Sequence, residues 1–363
     1  MKRNDHATKT WRTSLITTVV IILLGACQPA FASTVDEFSD ANPQPPASPT
    51  FPPQKTLPGA AVSASASTPA SAFASPTVTA APGLTPDFSH IIIFVMENHE
   101  YGSVIGKTQM PYFNSLAQQF TLLTQYHGVT HPSLPNYISL IGGDTFGITS
   151  DCLTCYVNAP NLPDLIEASG RTWRTYQEDM PSPCFIGNSG NYAQKHDPFL
   201  YFDNIRTNTQ RCQQDVVPLT ALDSDLTNNT LPNFSFIVPN LCDSGHNCTL
   251  SVVDAWLKTW VSKVMASPAF DQRTLIALTW DEGQTNQTCC GMNSAGGRVA
   301  TVLISPLVRQ GLQDNTPYTH YSLLKMIAES WGLAKLAHAA DATQNLIAAP
   351  FQKQLSFVPL LTR

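Results

Sequence analysis

The sequence has no excess of basic residues, and this argues against a nucleic acid or an anionic membrane surface as a partner. Its 20 lysines and arginines are outnumbered by 26 aspartates and glutamates, which gives a net charge of −6 at pH 7. Partners of both kinds attract basic patches. An acidic protein that binds phosphate therefore needs a local positive centre, such as a metal ion or a helix N-terminus.

The chain also lacks an apolar run long enough for a comfortable transmembrane span. Its N-terminal run, Ser14 to Leu24, follows four basic residues and is typical of an export signal. Two cleavage sites remain open. Leu24 to Cys27 resembles a lipobox, with cleavage after residue 26 and a lipid on Cys27, whereas Ala30-Phe31-Ala32 suits an ordinary signal peptidase. An uncleaved anchor is a third alternative. All three predict an exported protein, secreted or a cell-envelope lipoprotein, that meets the membrane only through its N-terminus.

Residues 27–86 have almost no charge. Between Asp40 and Asp87 the only charged residue is Lys55, and proline, alanine, serine and threonine dominate the composition. Such a segment cannot bury enough apolar surface to offset the entropy lost on ordering. We therefore expect residues 27–86 to form a disordered linker. It would join a signal peptide over 1–26 to a single catalytic domain over 87–363.

No second Cys-x-x-Cys motif accompanies Cys152 and Cys155, and this absence weakens the case for a zinc or redox site there. With Cys27 set aside, eight cysteines remain. An even number in an oxidising compartment favours disulfides. The pairing is open, although Cys242 and Cys248 are close enough in sequence to close a small loop around His246.

Four apolar runs predict buried strands, at residues 91–95, 234–238, 274–280 and 299–304. Between them, helical patterns cover residues 110–119, 162–168, 252–265 and 321–331. Strands that alternate with helices predict an α/β domain with a mostly parallel central sheet flanked by helices. In such folds ligands bind at the carboxyl ends of the strands.

Three of the predicted strands are followed by side chains that bind divalent metals, namely carboxylates, amides and a histidine. One acidic residue after a strand is more often a helix cap or a solvated loop residue. Three successive strand ends of this kind indicate a site. The residues are Glu97 and Asn98, then Asn240, Asp243 and His246, then Asp281 and Glu282.

A candidate nucleophile, Ser133, lies two residues before Pro135. Proline suits the first turn of a helix, so Ser133 is expected at or just before a helix start. Two interpretations remain open. Ser133 is either a plain N-cap or a nucleophile whose alkoxide and target phosphate are stabilised by the helix dipole and free N–H groups.

Several motifs, in order along the chain, resemble the phosphoesterase family of bacterial and fungal acid phosphatases and phospholipases C, within the alkaline-phosphatase superfamily. The resemblance extends from about Ile91 to Leu333 and implies an alkaline-phosphatase-like fold. The motifs are Glu97-Asn98, Ser133-Leu134-Pro135-Asn136, His196-Asp197-Pro198-Phe199, Pro239-Asn240-Leu241-Cys242 with His246 and Cys248, Thr279-Trp280-Asp281-Glu282-Gly283, and His320-Tyr321-Ser322-Leu323-Leu324.

The resemblance implies that Ser133 is a covalent nucleophile beside one or more divalent metal ions of unknown identity. Glu97, Asp281 and Glu282 would hold a metal, and Asn98 would coordinate it or position the phosphate. Asn136 would contact the substrate.

The implied histidine roles are less uniform. His246 and His320 would form a second metal subsite or act as acid–base groups. Cys242 stands where superfamily members often have an aspartate, so Asn240 and Asp243 are the substitute ligands. His196 would contact the substrate or protonate the leaving group, with a structural role as its alternative. His131 would lie beside the substrate site, behind the catalytic groups.

The implied function is metal-dependent hydrolysis of phosphate esters through a phosphoserine intermediate, of the acid-phosphatase type. Its substrate would be a small phosphoester or a phospholipid head group. A phospholipase C acting on diesters is the first alternative. A non-catalytic envelope lipoprotein that binds phosphorylated ligands is the second. A sulfatase is disfavoured because the sequence after Ser133 lacks the arginine expected in the sulfatase motif.

Overall fold

The structure is a computed structural model that describes residues 84–352. The expected signal peptide, both cleavage sites and nearly all of the expected linker lie outside these residues. Within 84–352, no helix is both long enough and apolar enough to cross a membrane.

Nine strands form one sheet, in the order β10-β2-β9-β6-β1-β5-β3-β4, with β11 paired to β2, and β7 and β8 form a separate hairpin. The strands are β1 (His90–Met96), β2 (Thr121–His127), β3 (Trp173–Gln177), β4 (Val216–Pro218), β5 (Phe234–Val238), β6 (Thr274–Trp280), β7 (Gln287–Cys289), β8 (Met292–Ala295), β9 (Arg298–Ile304), β10 (Gln313–Asp314) and β11 (Tyr318–Thr319).

The sheet is mostly parallel. β1 lies between β5 and β6 and is parallel to both, and β3 is parallel to β4 and β5. Only β9 breaks the pattern among these nine strands, since it runs antiparallel to β2 and β6. β5 and β6 are buried along their whole length, as expected for strands with both faces covered. The predicted α/β class with a mostly parallel sheet is confirmed.

The four predicted helices are present, with ends within two residues of the expected positions. α2 packs against α8 and α3 packs against α9. The helices are α1 (Tyr101–Val104), α2 (Pro111–Gln119), α3 (Ser133–Gly142), α4 (Leu162–Ala168), α5 (Asp203–Arg206), α6 (Thr209–Asp215), α7 (Thr220–Asn228), α8 (Leu250–Ala266) and α9 (His320–Trp331).

A close backbone approach joins the end of β2 to the end of β6. A Cβ atom on Gly128 would lie 2.7 Å from the carbonyl oxygen of Gly296 and 2.8 Å from that of Asp281. Only glycine fits such a contact without displacing a neighbouring backbone. The turn that leads from β2 to Ser133 is therefore held directly against the residues that follow β6.

The eight cysteines of the described region form four disulfides. Cys152 and Cys155 bond to each other, which leaves no free thiolate for a zinc ion at this motif. The loop around His246 is closed by the Cys242–Cys248 pair. The remaining pairs are Cys184–Cys212 and Cys289–Cys290.

Candidate active site

Two neighbouring strand ends bring their acidic residues together. Glu97 follows β1, and Asp281 and Glu282 follow β6. The backbone N–H of Asp281 donates to the carbonyl oxygen of Met96 at 2.9 Å, which continues the parallel pairing past the strands. The backbone N–H of Asn98 donates to Asp281 Oδ1 at 3.0 Å. The carboxylates are thus fixed at the carboxyl edge of the sheet, where parallel sheets place their ligands.

Ser133 is the first residue of α3 and is almost fully buried, with 1% exposure. Its hydroxyl donates to Glu97 Oε2 at 3.1 Å and lies 3.4 Å from Glu282 Oε1. A hydrogen bond from Ser133 also lowers the pKa of Asp281, although other effects on that pKa are larger. The structure therefore brings the predicted nucleophile among three predicted metal-binding carboxylates.

Burial and neighbouring negative charges disfavour the ionised form of these three carboxyl groups. Burial raises the pKa of Glu97 well above its ordinary value, and the charge of Asp281 adds to this effect. Burial raises the pKa of Asp281 to about 7, against the lowering effect of two backbone hydrogen bonds. Burial, followed by the charges of Asp281 and Asp151, raises the pKa of Glu282 to about 9. Like charges in one dry space require a proton or a cation.

The same residues fit a divalent cation chemically. Asp281 Oδ2 is buried and has no hydrogen-bond partner. Carboxylate and amide oxygens are the ligands that hard divalent cations prefer. Among residues 84–352, however, no group of three or more histidine, cysteine, aspartate or glutamate side chains is arranged to hold an ion as it stands. The donors are present without a preformed coordination shell, and the metal stays a prediction.

Tyr137 and His196 complete the buried surroundings of Glu97. Tyr137 lies one helical turn after Ser133 and donates its hydroxyl to Glu97 Oε1 at 2.5 Å. Its ring stacks on that of His196, with centroids 5.2 Å apart. His196 Nε2 is 3.2 Å from Glu97 Oε1 but does not make a well-aligned hydrogen bond. Burial, helped by the charges of Lys195 and His246, lowers the pKa of His196 well below its ordinary value.

Two of the predicted histidines have both ring nitrogens engaged. His320 contacts the backbone carbonyl of Asp281 through Nε2 at 2.5 Å and the hydroxyl of Tyr126 through Nδ1 at 3.2 Å. Burial lowers the pKa of His320 to about 4. His131 contacts Glu282 Oε2 at 2.6 Å and the carbonyl of Thr285 at 3.1 Å. Each histidine thus holds an acidic residue or its backbone, and neither has a ring nitrogen left for a metal ion.

Asn136 holds the turn that precedes Ser133. Its side-chain oxygen accepts from the backbone N–H groups of Val129 and Thr130, and its amide donates to the carbonyls of Thr130 and Pro132. The side chain is fully buried. In this structure Asn136 shapes the approach of the backbone to Ser133, which is a different contact from the substrate binding expected of it.

Asn240 and Asp243 lie in a neighbouring acidic cluster after β5. Asn240 donates to Asp179 Oδ2 at 2.9 Å and to Asp243 Oδ2 at 3.3 Å, and its backbone N–H binds Glu178. Burial raises the pKa of Glu178 to about 7. The two predicted substitute ligands therefore bind other polar groups and are not hydrogen-bonded to the carboxylates around Ser133.

Sequence reasoning missed an ion pair at this site. Lys195 Nζ lies 2.8 Å from Asp151 Oδ2 and 3.4 Å from Nε2 of His246, which is exposed. Burial lowers the pKa of Lys195, but the hydrogen bond with Asp151 and the charge of Glu97 outweigh this, and the net shift is upward. The only sequence feature that draws attention to Lys195 is its position directly before the His196 motif. No sequence feature draws attention to Asp151.

Comparisons with known proteins agree with the resemblance. The model of the Phosphoesterase family matches residues 106–334. An acid phosphatase of Aspergillus fumigatus is 34% identical over 253 residues, which cover 66% of this chain and 54% of the relative. A phosphatidylinositol-3-phosphatase of Mycobacterium tuberculosis is 33% identical over 261 residues, which cover 71% of this chain and 81% of the relative. The chain thus spans about half the length of the Aspergillus protein.

Solved structures share the fold at low sequence identity. A Bacteroides thetaiotaomicron protein, solved in work on the metabolism of multiple glycosaminoglycans, is 14% identical, with a TM-score of 0.50 and coverage of 75% of this chain and 78% of its own. A protein in the alkaline phosphatase superfamily from Vibrio parahaemolyticus is 12% identical, with a TM-score of 0.48 and 72% of each chain covered. At 14% identity the likeness to the Bacteroides protein concerns the fold alone.

Proposed function

This chain belongs to the Phosphoesterase family, and on this premise we propose that it hydrolyses phosphate monoesters with Ser133 as the covalent nucleophile. The observation that carries the proposal is the position of the Ser133 hydroxyl. It is buried at a helix start and hydrogen-bonded to Glu97 Oε2 at 3.1 Å, among three carboxylates. A serine that only capped a helix would direct its oxygen to a backbone N–H. Ser133 instead follows the N-cap Pro132, and its hydroxyl is directed to the carboxylates of Glu97 and Glu282.

The proposed reaction has two displacements. Ser133 Oγ attacks phosphorus while the bond from phosphorus to the leaving oxygen breaks, and that oxygen takes a proton from His196 or from water to leave as the alcohol. A water molecule then attacks the phosphoserine, which releases phosphate and restores the serine hydroxyl. Glu97 Oε2 already accepts the serine hydrogen bond, so it is the nearest atom to hold the departing proton. Tyr137, which donates to the other Glu97 oxygen, keeps that carboxyl group in place.

A divalent cation would fit this scheme. Glu97, Asp281 and Glu282, with Asn98 beside them, would hold it, and it would offset their charges and lower the pKa of the neighbouring hydroxyl. His196 is buried and its pKa is low. From its position beside Glu97 and Tyr137 we assign it a contact with the substrate or the protonation of the leaving group. Export of the protein remains a prediction from the N-terminal sequence.

A lipid phosphoester is the second candidate substrate, as in the phospholipase C alternative. Two large apolar side chains near the site are exposed, Leu153 at 40% and Ile186 at 46%. The amide of Gln194, which precedes Lys195, joins their loops, since it donates to the carbonyl of Leu153 at 2.9 Å and accepts from the N–H of Gly187 at 2.7 Å. The relative from Mycobacterium tuberculosis is named for a lipid substrate, but its name describes the removal of a monoester phosphate, so it supports a lipid monoester and not the diester of a phospholipase C.

Replacement of the nucleophile tests the proposal. We expect Ser133→Ala to lower kcat on p-nitrophenyl phosphate at least ~10³-fold, because a lost nucleophile costs this much or more. The free energy of unfolding should stay at the wild-type value. Ser139→Ala is the matched control, since Ser139 is buried on the same helix and its hydroxyl makes a long hydrogen bond of 3.4 Å to Tyr321, away from the three carboxylates. Wild-type turnover by Ser133→Ala would refute the assignment. A phosphocholine lipid and phosphatidylinositol 3-phosphate, assayed in parallel, distinguish a lipid diester and a lipid monoester from the small monoester.

A further inference from the structure

Lys195 is a positive charge at the candidate site with no role in the scheme above. Its side chain is only 19% exposed. The next residue, His196, has its Nε2 3.2 Å from Glu97 Oε1, and the partner of Lys195, Asp151, binds the backbone N–H of the residue after Ser133. Through these contacts the ammonium group of Lys195 lies close to the place where the phosphate of a substrate of Ser133 would bind.

Asp151 fixes this lysine relative to the nucleophile. One carboxylate oxygen accepts from the backbone N–H of Leu134 at 3.0 Å, directly after Ser133, and the other binds Lys195 Nζ at 2.8 Å. The loop of Asp151 is itself constrained, because the next residue belongs to the Cys152–Cys155 disulfide. Lys195 is therefore held in place and differs from a freely moving surface lysine.

The start of α3 offers few donors for a phosphate group. The N–H of Leu134 is used by Asp151, and Pro135 has no N–H. The expectation from sequence, that free N–H groups at this helix start stabilise the attacked phosphate, is not met at these two positions. The oxygens of the phosphate therefore need a donor from elsewhere in the site.

We propose that Lys195 binds a non-bridging oxygen of the substrate phosphate and thereby favours monoesters over diesters, with Asp151 as its positioning residue. This inference rests on the proposed function. A monoester carries close to two negative charges at neutral pH, whereas a diester carries one. A fixed ammonium group among carboxylates gains more from the dianion. The chemical class selected is thus a phosphate group with a free terminal end.

The test uses the metal-loaded full chain and four variants: Lys195→Met, Lys195→Arg, Asp151→Asn and the control Lys263→Met. Lys263 also forms an ion pair with an aspartate, Asp223 at 2.8 Å, but it lies on α8 and is 44% exposed. KM and kcat are measured for p-nitrophenyl phosphate and for bis(p-nitrophenyl) phosphate. Inorganic phosphate is titrated as an inhibitor and in thermal unfolding.

We expect Lys195→Met to lower kcat/KM for the monoester ~10–100-fold, the range for a lost charge-assisted hydrogen bond, mainly through KM. The diester should change less than about 3-fold. Lys195→Arg should recover part of the loss, Asp151→Asn should give an intermediate effect, and Lys263→Met none. Equal losses on both substrates, or unchanged inhibition by phosphate in Lys195→Met, would overturn the inference.

Two further readouts separate this inference from the proposed function. If the wild type cleaves neither ester, the proposed function fails. The inference about Lys195 then still requires that phosphate raise the unfolding temperature of the wild type more than that of Lys195→Met. Acetylation of the wild-type protein needs no variant, so it also covers a failure of Lys195→Met to fold. Phosphate should slow acetylation of Lys195 and leave Lys263 unaffected, and equal labelling with and without phosphate would contradict the inference.

Discussion

Asp197 is a carboxyl group whose surroundings suit the neutral form. It is fully buried, its Oδ1 has no hydrogen-bond partner among the described residues, and its Oδ2 has a long contact of 3.4 Å with the hydroxyl of Tyr192. Burial outweighs the lowering effects of the Phe199 backbone and of Tyr192 on its pKa. Burial raises the pKa of Asp197 from 3.8 to about 8. Between these values the folded protein keeps a proton that the unfolded chain releases. Stability therefore falls as the pH rises through this window.

We expect Asp197→Asn to remove this dependence, because asparagine has a similar shape and does not ionise. From pH 5 to pH 8 the wild type should lose ~1–3 kcal/mol more of its free energy of unfolding than the variant, measured by urea denaturation. Asp271→Asn is the control, since the pKa of Asp271 is lowered and the group stays charged throughout the window. A variant with the wild-type slope would show that Asp197 does not hold this proton.

For single residues, the sequence predicted which side chains belong to the candidate site better than it predicted their contacts. Position after a strand, or at a helix start, identified Glu97, Asp281 and Ser133, and these side chains do meet. It gave no indication that nearby polar groups saturate both nitrogens of His320. Lys195 was missed because an ion pair between distant residues leaves no local pattern.

The elements around the site depend on the close approach at Gly128, where the end of β2 meets the residue that follows β6. In Gly128→Ala the new methyl group would lie within 2.8 Å of two carbonyl oxygens, neither of which belongs to a movable side chain. We expect a loss of at least ~2 kcal/mol of stability and a drop in kcat, because Ser133 and Asp281 would be pushed apart. Denaturation and p-nitrophenyl phosphate assays measure both.

Gly102→Ala is the matched control, since a Cβ atom there meets nothing within 4 Å. Gly102 lies in α1, so alanine should leave stability within ~0.5 kcal/mol or raise it slightly. Equal stability and equal kcat of the two variants would mean that the backbone around Gly128 can move to accommodate the added methyl group.

Strands with long apolar runs were predictable from the sequence, and the strand β2, which mixes polar and apolar residues, was not. β1, β5, β6 and β9 are buried on both faces and stand out in the sequence. β2 was missed because threonine, glutamine and histidine interrupt its apolar residues, and Thr124 meets its hydrogen-bonding needs at the backbone of Asp314. The antiparallel direction of β9 has no sequence signal, since an apolar run is the same in both directions.

For the whole molecule, the proposed cation site predicts that the three buried carboxylates make stability depend on divalent ions. A divalent ion bound only to the folded state adds ~2.7 kcal/mol at one hundred times its dissociation constant. We expect chelation to lower the unfolding temperature of the wild type and to abolish turnover, and added divalent metal to restore both. Calorimetry with a panel of metals, followed by the ester assay, makes the measurement.

The double variant Glu97→Gln with Asp281→Asn provides the comparison for this prediction. It removes two buried charges that repel each other, so its metal-free form should be at least as stable as the metal-free wild type. The same metals should not raise its unfolding temperature. An identical unfolding temperature of the wild type with and without metal would contradict the proposed cation site.

The site is assembled from segments far apart in the chain, and this sets when it can exist. Glu97 and Ser133 leave the ribosome early, but Asp281, Glu282 and the supporting His320 follow almost 150 residues or more after Ser133. A nascent chain therefore carries an inert serine until the strand β6 is made and pairs with β1. On the proposed function, hydrolytic capacity arises only late in synthesis, and we expect an unfinished polypeptide to leave phosphate esters intact where it is made.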